Sequence, residues 1–281
     1  MHLVEPDSQS AEIPLSEKEF QSFRDFVYQT AGISLSPTKK ALVSGRLLKR
    51  LRHYQLTSYR DYFHLMTSGE QPKELQTALD LLTTNETYFF REPQHFEYLR
   101  TSILPACKPG ELVRIWSAAC SSGEEPYTLA MVLADTLGTR SWELLASDIS
   151  SRVLAKAQTG HYSMERAERI PQQYLKAYCL KGIGPQHGTF LIDQALRNKI
   201  QFTSINLNAT LPQIGPFDVI FLRNVLIYFD DATKRQILGK VRGLMRPGGY
   251  LFLGSSETTL NLDSRFEQVK FDRTLCYRVR A

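Results

Sequence analysis

The chain has 281 residues, 42% of them hydrophobic and 22% charged, with a formal net charge of +5. That length can bury a sizeable core in one or two domains. The apolar runs are far too short to span a bilayer, and the opening MHLVEPDSQS has neither the basic nor the apolar region of a secretion signal. Cys107, Cys120, Cys179 and Cys276 are scattered without a CxxC pair, and the histidines show no metal spacing. Both features point to reduced thiols in a cytoplasm and to no metal site.

Residues 1–13 read as a loose polar tail. EKEFQSFRDFVYQTAG then places Phe20, Phe23, Phe26 and Val27 on one helical face, with Gly32 as a stop. SPTKKALVSGRLLKRLRHY opens a second helix, with Ser36 as N-cap and Pro37 in the first turn. Shorter helices fit 57–67 and 72–84, so residues 14–85 read as an all-helical domain. From Leu112 the pattern changes. ELVRIWSAA, WELLASDIS, KIQFTSINL, FDVIFLRNV and GGYLFLGSSE are β-type runs, and helical patterns at 124–137, 150–159 and 231–245 separate most of them. This alternation predicts an α/β fold: a mostly parallel sheet with helices on both faces. FEQVKFDRTLCYRVR reads as a closing antiparallel hairpin. LKGIGPQHGT lies in a glycine-rich excursion at about 178–200, which reads as a small antiparallel insertion.

Ligands of open α/β sheets bind beyond the carboxyl ends of the strands. The first such end here is SAACSSGEEPY, where a dinucleotide loop would carry two or three glycines and this one has Gly123 alone. Glu124 and Glu125 would repel a pyrophosphate at the helix start, although acids there also complement the helix dipole. The second strand ends in Asp148, an acid suited to ribose hydroxyls; equally, Asp148 or Ser150 could cap the next helix. S-adenosylmethionine has a ribose, no phosphate and two positive groups, so the loop suits it better than NAD or ATP.

NETYFFREP (85–93), WSAACSSGEEPY (116–127), ASDIS (146–150), SINL (204–207) and FDVIFLRNVLIYFD (217–230) resemble the chemotaxis receptor methyltransferases, the CheR family, over nearly the whole chain. The resemblance implies a Rossmann-like methyltransferase domain at 86–281 behind the helical domain. It implies methyl transfer from S-adenosylmethionine to glutamate side chains of chemoreceptors, in the cytoplasm and at receptor arrays. Carried onto this chain, it makes Asn85, Thr87, Arg91, Asp148, Asn206, Leu207, Arg223 and Asn224 cofactor contacts. Glu124 joins them, with the choice between Glu124 and Glu125 left open. No metal is implied.

A substrate glutamate, with a pKa near ~4.3, is already ionised at neutral pH. It needs alignment and a paired charge in a dry pocket rather than a general base. At the family's positions Arg91 would pair with the acceptor carboxylate and Tyr228 would orient it by a hydrogen bond; taken alone, Tyr228 also fits a core aromatic with a satisfied hydroxyl. RNVLIY has no Pro-Pro, which argues against an exocyclic amine as acceptor.

From Ser36 to Arg60 there are seven Lys or Arg residues and no acid. Arg46, Lys49, Arg50 and His53 share a helix face, and with no acid interleaved an acidic partner is expected. Nucleic acid and a glutamate-rich receptor helix both fit, and the resemblance selects the receptor, through Arg46, Lys49, Arg50 and Arg52. The spacing of Gly182, Gly184 and Gly188 is similar to the subclass that binds a receptor C-terminal peptide by strand addition; a plain surface hairpin is the simpler alternative. The other readings are a methyltransferase for nucleic acid or a small molecule, and a non-catalytic adenosylmethionine-dependent module.

Overall fold

The computed structural model describes residues 13–272 and 274–280, so the tail expected over 1–13 lies, but for Ile13, outside the described residues. The chain forms two compact units, one ending at Leu82 and one running on from Thr83, with Thr30–Ser34 belonging to the second.

The first unit is helical: α1 (Glu17–Ala31), α2 (Lys40–His53), α3 (Tyr59–Thr67) and α4 (Glu74–Leu82). The spacing of apolar residues fixes its core. Phe20, Phe23, Phe26 and Val27 of α1 and Val43, Leu47 and Leu51 of α2 are buried, and the Phe23 ring meets those of Tyr59, Tyr62 and Phe63. Ser36 is not the cap expected of it. A 3-10 turn at Pro37–Lys39 precedes α2, and the Ser36 hydroxyl pairs with that of Thr38. Ser58 does cap α3, accepting from the Asp61 N–H.

The second unit is built on a seven-stranded sheet in the order β6-β2-β1-β7-β8-β10-β9. Its strands are β1 (Val113–Ala118), β2 (Trp142–Asp148), β6 (Ile200–Ser204), β7 (Phe217–Phe221), β8 (Met245–Phe252), β9 (Phe266–Phe271) and β10 (Thr274–Val279). The first five are parallel, and β10 and β9 add the antiparallel hairpin read from the sequence. Alternation along each strand feeds two cores. Ile115, Val219, Phe221 and Phe252 face one side; Trp116, Ile220 and Leu251 face the other. Burial on both faces explains why these strands read as continuous apolar runs. The chain turns one way from β1 into β2 and the other way into β7, so the switch point lies between β1 and β7.

A separate sheet of three strands joins β3 (His161–Ser163), β5 (Thr189–Ile192) and β4 (Cys179–Lys181), all antiparallel. It recruits His161–Ser163 from well before the glycine-rich excursion.

Candidate active site

The loop after β1 reaches its shape by unusual backbone. Ala119, Ser121 and Gly123 all have positive φ (67°, 50° and 96°), and for the two non-glycine residues this costs of order 1–3 kcal/mol each. Its amides are used inside the fold. Cys120 N–H donates to the Ser147 carbonyl at 2.8 Å, Gly123 N–H to the Cys120 carbonyl at 3.1 Å, and Ser121 N–H to Asp148 Oδ2 at 2.8 Å. These three amides are not offered to a pyrophosphate. A Cβ on Gly123 would meet the Tyr162 hydroxyl at 2.8 Å and the Ala157 Cβ at 2.9 Å. The lone glycine thus serves close packing as well as its φ. Asp148 Oδ1 also accepts the Ser150 N–H at 2.9 Å, while Ser150 caps the next helix. One buried carboxylate therefore ties the loop to the end of β2.

Both glutamates of the loop have partners within the protein. Glu124 is fully buried, and its oxygens accept from Arg166 Nη1 at 2.5 Å and the Ser122 hydroxyl at 2.7 Å. Glu125 accepts from the Ser117 hydroxyl at 2.7 Å and from Arg223 Nη1 at 2.9 Å. Burial still pushes the Glu125 carboxyl above its ordinary range, against the pull of Arg223 and Ser117.

The segment from Asn85 to Glu92 is held mainly by its backbone. The Asn85 carbonyl accepts from the Ser121 hydroxyl at 2.8 Å, and the Thr87 carbonyl from Arg166 Nη1 at 3.0 Å. Phe89 is buried against Tyr162 and Phe190. Phe90 N–H donates to the Thr128 hydroxyl at 3.1 Å. The Arg91 guanidinium donates to the Glu86 carbonyl at 3.0 Å and lies over the Tyr88 ring.

Arg223, expected in the cofactor pocket, has its guanidinium inside the protein. It donates to the Arg91 carbonyl and Glu125, sits 3.2 Å from Glu92 and covers the Phe96 ring. Its side chain is 1% exposed, so in this structure it ties neighbouring segments together. Glu92 links further groups: its Oε1 accepts from the Asn224 amide at 3.4 Å and the Ser255 N–H at 3.3 Å. Burial works to raise the Glu92 carboxyl, but Arg223 and Ser255 bring it below its ordinary value. His95 lies 3.4 Å from the same carboxylate; burial first, then Arg223, pushes its pKa down to about 4.

Asn224 has φ 57° and starts the turn that carries Tyr228. Glu257 pins this turn. Its carboxylate accepts from Asn224 N–H at 2.7 Å, Gly254 N–H at 2.6 Å and Ile227 N–H at 3.3 Å. The Tyr228 carbonyl accepts from Ser34 N–H at 2.8 Å, and Ile33 forms a β-bridge with Phe229. After β6 the Asn206 side chain faces the protein, donating to the Thr30 carbonyl at 2.6 Å and accepting from Asn208 N–H at 2.9 Å. One of its two amide donors is thus committed inside the fold. Leu207 is buried, and Lys240 Nζ donates to the carbonyls of Leu207, Asn208 and Ala209. Glu92, Glu257, Arg166 and Lys240 escaped the sequence reading, because their partners lie far along the chain and no local spacing marks them.

The basic helix needs a similar correction. Arg50 forms a two-point pair with Glu74, at 2.8 and 2.6 Å, across a sequence separation of 24. Arg46 donates to the Leu81 and Leu82 carbonyls that end α4. An acid outside the basic run thus neutralises part of it, while Lys49 and Arg52 are exposed. In the three-stranded sheet the glycines shape the hairpin: a Cβ on Gly182 would collide with the Gln186 carbonyl, and Gly184 and Gly188 have φ of 54° and 83°.

Two family descriptions match the chain: CheR methyltransferase, all-alpha domain, over residues 18–83, and CheR methyltransferase, SAM binding domain, over residues 85–275. A chemotaxis protein methyltransferase of Escherichia coli K12 is 43% identical over 90% of this chain and 89% of its own length. One from Salmonella typhimurium is 40% identical over 90% and 88%. Chemotaxis protein methyltransferase 2 of Vibrio cholerae is 38% identical over 95% and 94%. Among the described residues no helix is long and apolar enough to cross a membrane, and no cluster of His, Cys, Asp and Glu could hold a metal.

Proposed function

From the premise that the chain belongs to the CheR methyltransferase family and is an S-adenosylmethionine-dependent methyltransferase, we propose that it methylates glutamate side chains of chemoreceptors, giving γ-methyl esters. The observation that carries this reading is the match of both family domains, in order, across most of the chain. The loop supports the choice of methyl donor, since its amides at 120, 121 and 123 are spent internally and a phosphate-free ligand does not need them. S-adenosylmethionine supplies an electrophilic methyl group on a sulfonium.

In this reading Asn85, Thr87, Asp148, Leu207 and Asn224 line the cofactor site. Glu124, Arg223 and the Asn206 side chain act behind it, fixing the segments that do. The acceptor carboxylate arrives ionised, so the protein must pair it, aim it and keep water away. Arg91 spends one donor on the Glu86 carbonyl, and a guanidinium has five, so donors remain for a carboxylate. Tyr228 donates a hydrogen bond that aligns the attacking oxygen, from a turn fixed by Glu257 and Ser34. Lys49 and Arg52 attract the acidic receptor helix. The edge strand β4 and the residues just after it, with Leu180 and Ile183 56% and 80% exposed, are the proposed seat of a receptor C-terminal peptide, which would raise local substrate concentration.

The test is transfer of labelled methyl to receptor-bearing membranes. Label released as methanol by mild base supports the ester, whereas base-stable label, or label on nucleic acid, overturns it. Tyr228→Phe is expected to lower kcat by roughly 10²-fold with cofactor affinity unchanged. Wild-type turnover in that variant removes Tyr228 from its role.

A further inference from the structure

Arg169 has one described contact, and it is with Tyr88. Its guanidinium carbon lies 4.3 Å from the centre of the Tyr88 ring, and that of Arg91 lies 5.6 Å from the same centre. A single half-buried ring therefore holds two cations, each attracted by the π system. Glu86, Glu165 and Glu168 stand within five residues of one arginine or the other. Yet among the described residues no carboxylate comes within ion-pair distance of either guanidinium. Arg166 is the contrast. Three residues before Arg169, its Nη1 donates to Glu124 and to the Thr87 carbonyl, and those bonds fasten the chain leading into Arg169 against the segment that carries Arg91.

Two like charges gathered on one ring repel each other, and an anion is what relieves that repulsion. The two guanidinium carbons lie 5.6 and 4.3 Å from one ring centre, a reach that two carboxylates three or four residues apart on a helix, about 5–6 Å from each other, can span. We infer that Arg169 is a substrate-binding residue: together with Arg91 it forms a paired-guanidinium site on Tyr88, taking a second carboxylate of the acceptor helix one turn from the glutamate that is methylated. This rests on the glutamate-methylation reading and adds to it a requirement for a neighbouring acid. Tyr88 becomes the platform of the site.

The experiment compares initial rates of the full-length protein and Arg169→Met on receptor membranes, with Arg169→Lys as the charge-keeping control. Arg169→Met should raise KM for receptor about tenfold, the worth of one charge-assisted hydrogen bond. It should leave kcat within about twofold, because the lost contact is the same in ground and transition states. Arg169→Lys should recover much of the loss, and affinity for S-adenosylhomocysteine by calorimetry should not move. On receptors whose acids within one turn of the acceptor are changed to glutamine, the Arg169→Met penalty should vanish. An unchanged KM, or a penalty that persists on the neutralised receptors, overturns the inference and leaves the reaction assignment standing. If the wild type transfers no base-labile methyl at all, the reaction assignment falls and takes the inference with it.

Discussion

In the helical unit, Arg50 meets Glu74 in a two-point pair, and the Tyr54 and Tyr62 hydroxyls donate to the same carboxylate at 3.1 and 2.7 Å. In the sheet unit, Arg223 stands between Glu92 and Glu125 with His95 close by. Both networks pair an arginine with acids, but only the first is complete. Burial works against ionising Glu74, yet four donors hold its carboxyl below the ordinary range. The second leaves Glu92 Oε2, His95 Nδ1 and Arg223 Nε without hydrogen-bond partners. It also moves its two acids in opposite directions, Glu92 down and Glu125 up. A complete network of this kind fastens helices together. An incomplete one, placed at strand ends, holds the segment of Arg91, the loop of Glu125 and the turn of Asn224 in mutual register at the cost of unsatisfied polar atoms.

The sharpest way to break that contrast is Arg223→Met. It leaves two buried acids without a cation, and unfolding in urea should show a loss of about 3–5 kcal/mol. Cofactor binding should be lost as well, because three segments lose their common tie; retained binding would reduce the cluster to ordinary packing. Arg50→Met should cost less, about 2 kcal/mol, and leave cofactor affinity by calorimetry where it was. A fall in that affinity would mean that the helical network is not the purely structural one described.

The smallest effect is a slope with pH. The folded pKa of His95, about 4, lies below its ordinary 6.5. Over that window the unfolded chain takes up a proton that the native chain refuses. The stability linked to His95 is therefore complete above pH 6.5 and lost as pH falls toward 4, with a slope of at most about 1.4 kcal/mol per pH unit. Glu74, a depressed carboxyl, begins to add its own loss as pH falls through the ordinary value of 4.5 and its carboxylate protonates in the unfolded chain. His95→Phe, keeping a ring against Phe252, should remove the slope between pH 6.5 and about 5 in unfolding midpoints, above the range where carboxyls titrate. A slope that survives the substitution must come from other groups.

The α/β architecture and the helical leader were legible because burial imposes period on sequence. Phe20, Phe23, Phe26 and Val27 mark one helix face, and the run from Val113 to Ala118 marks a strand covered on both sides. The strand-end positions were legible because topology dictates where a ligand can enter. What side chains do there was not. Arg223 reads as a pocket residue from its place after β7, yet its guanidinium folds back onto acids about a hundred residues before it. Glu74 is invisible as the partner of Arg50 for the same reason: ion pairs between distant elements leave no spacing to detect. The loop deceived in another way, because positive φ at Ala119 and Ser121 lets ordinary residues do what a glycine-rich motif does elsewhere.

The hook at Thr30–Ser34 bears on how this gene can be cut. A fragment starting at residue 83 would include the whole span of the SAM binding domain match, and on sequence grounds it looks like a self-sufficient catalytic piece. It would lack the Thr30 carbonyl that accepts from Asn206, the Ser34 N–H that donates to the Tyr228 carbonyl, and the bridge between Ile33 and Phe229. Such a fragment would keep its sheet and lose the brace on the turns after β6 and β7. Supplying a peptide spanning residues 30–34 in trans, or fusing it back through a short linker, is the repair that dissection would require.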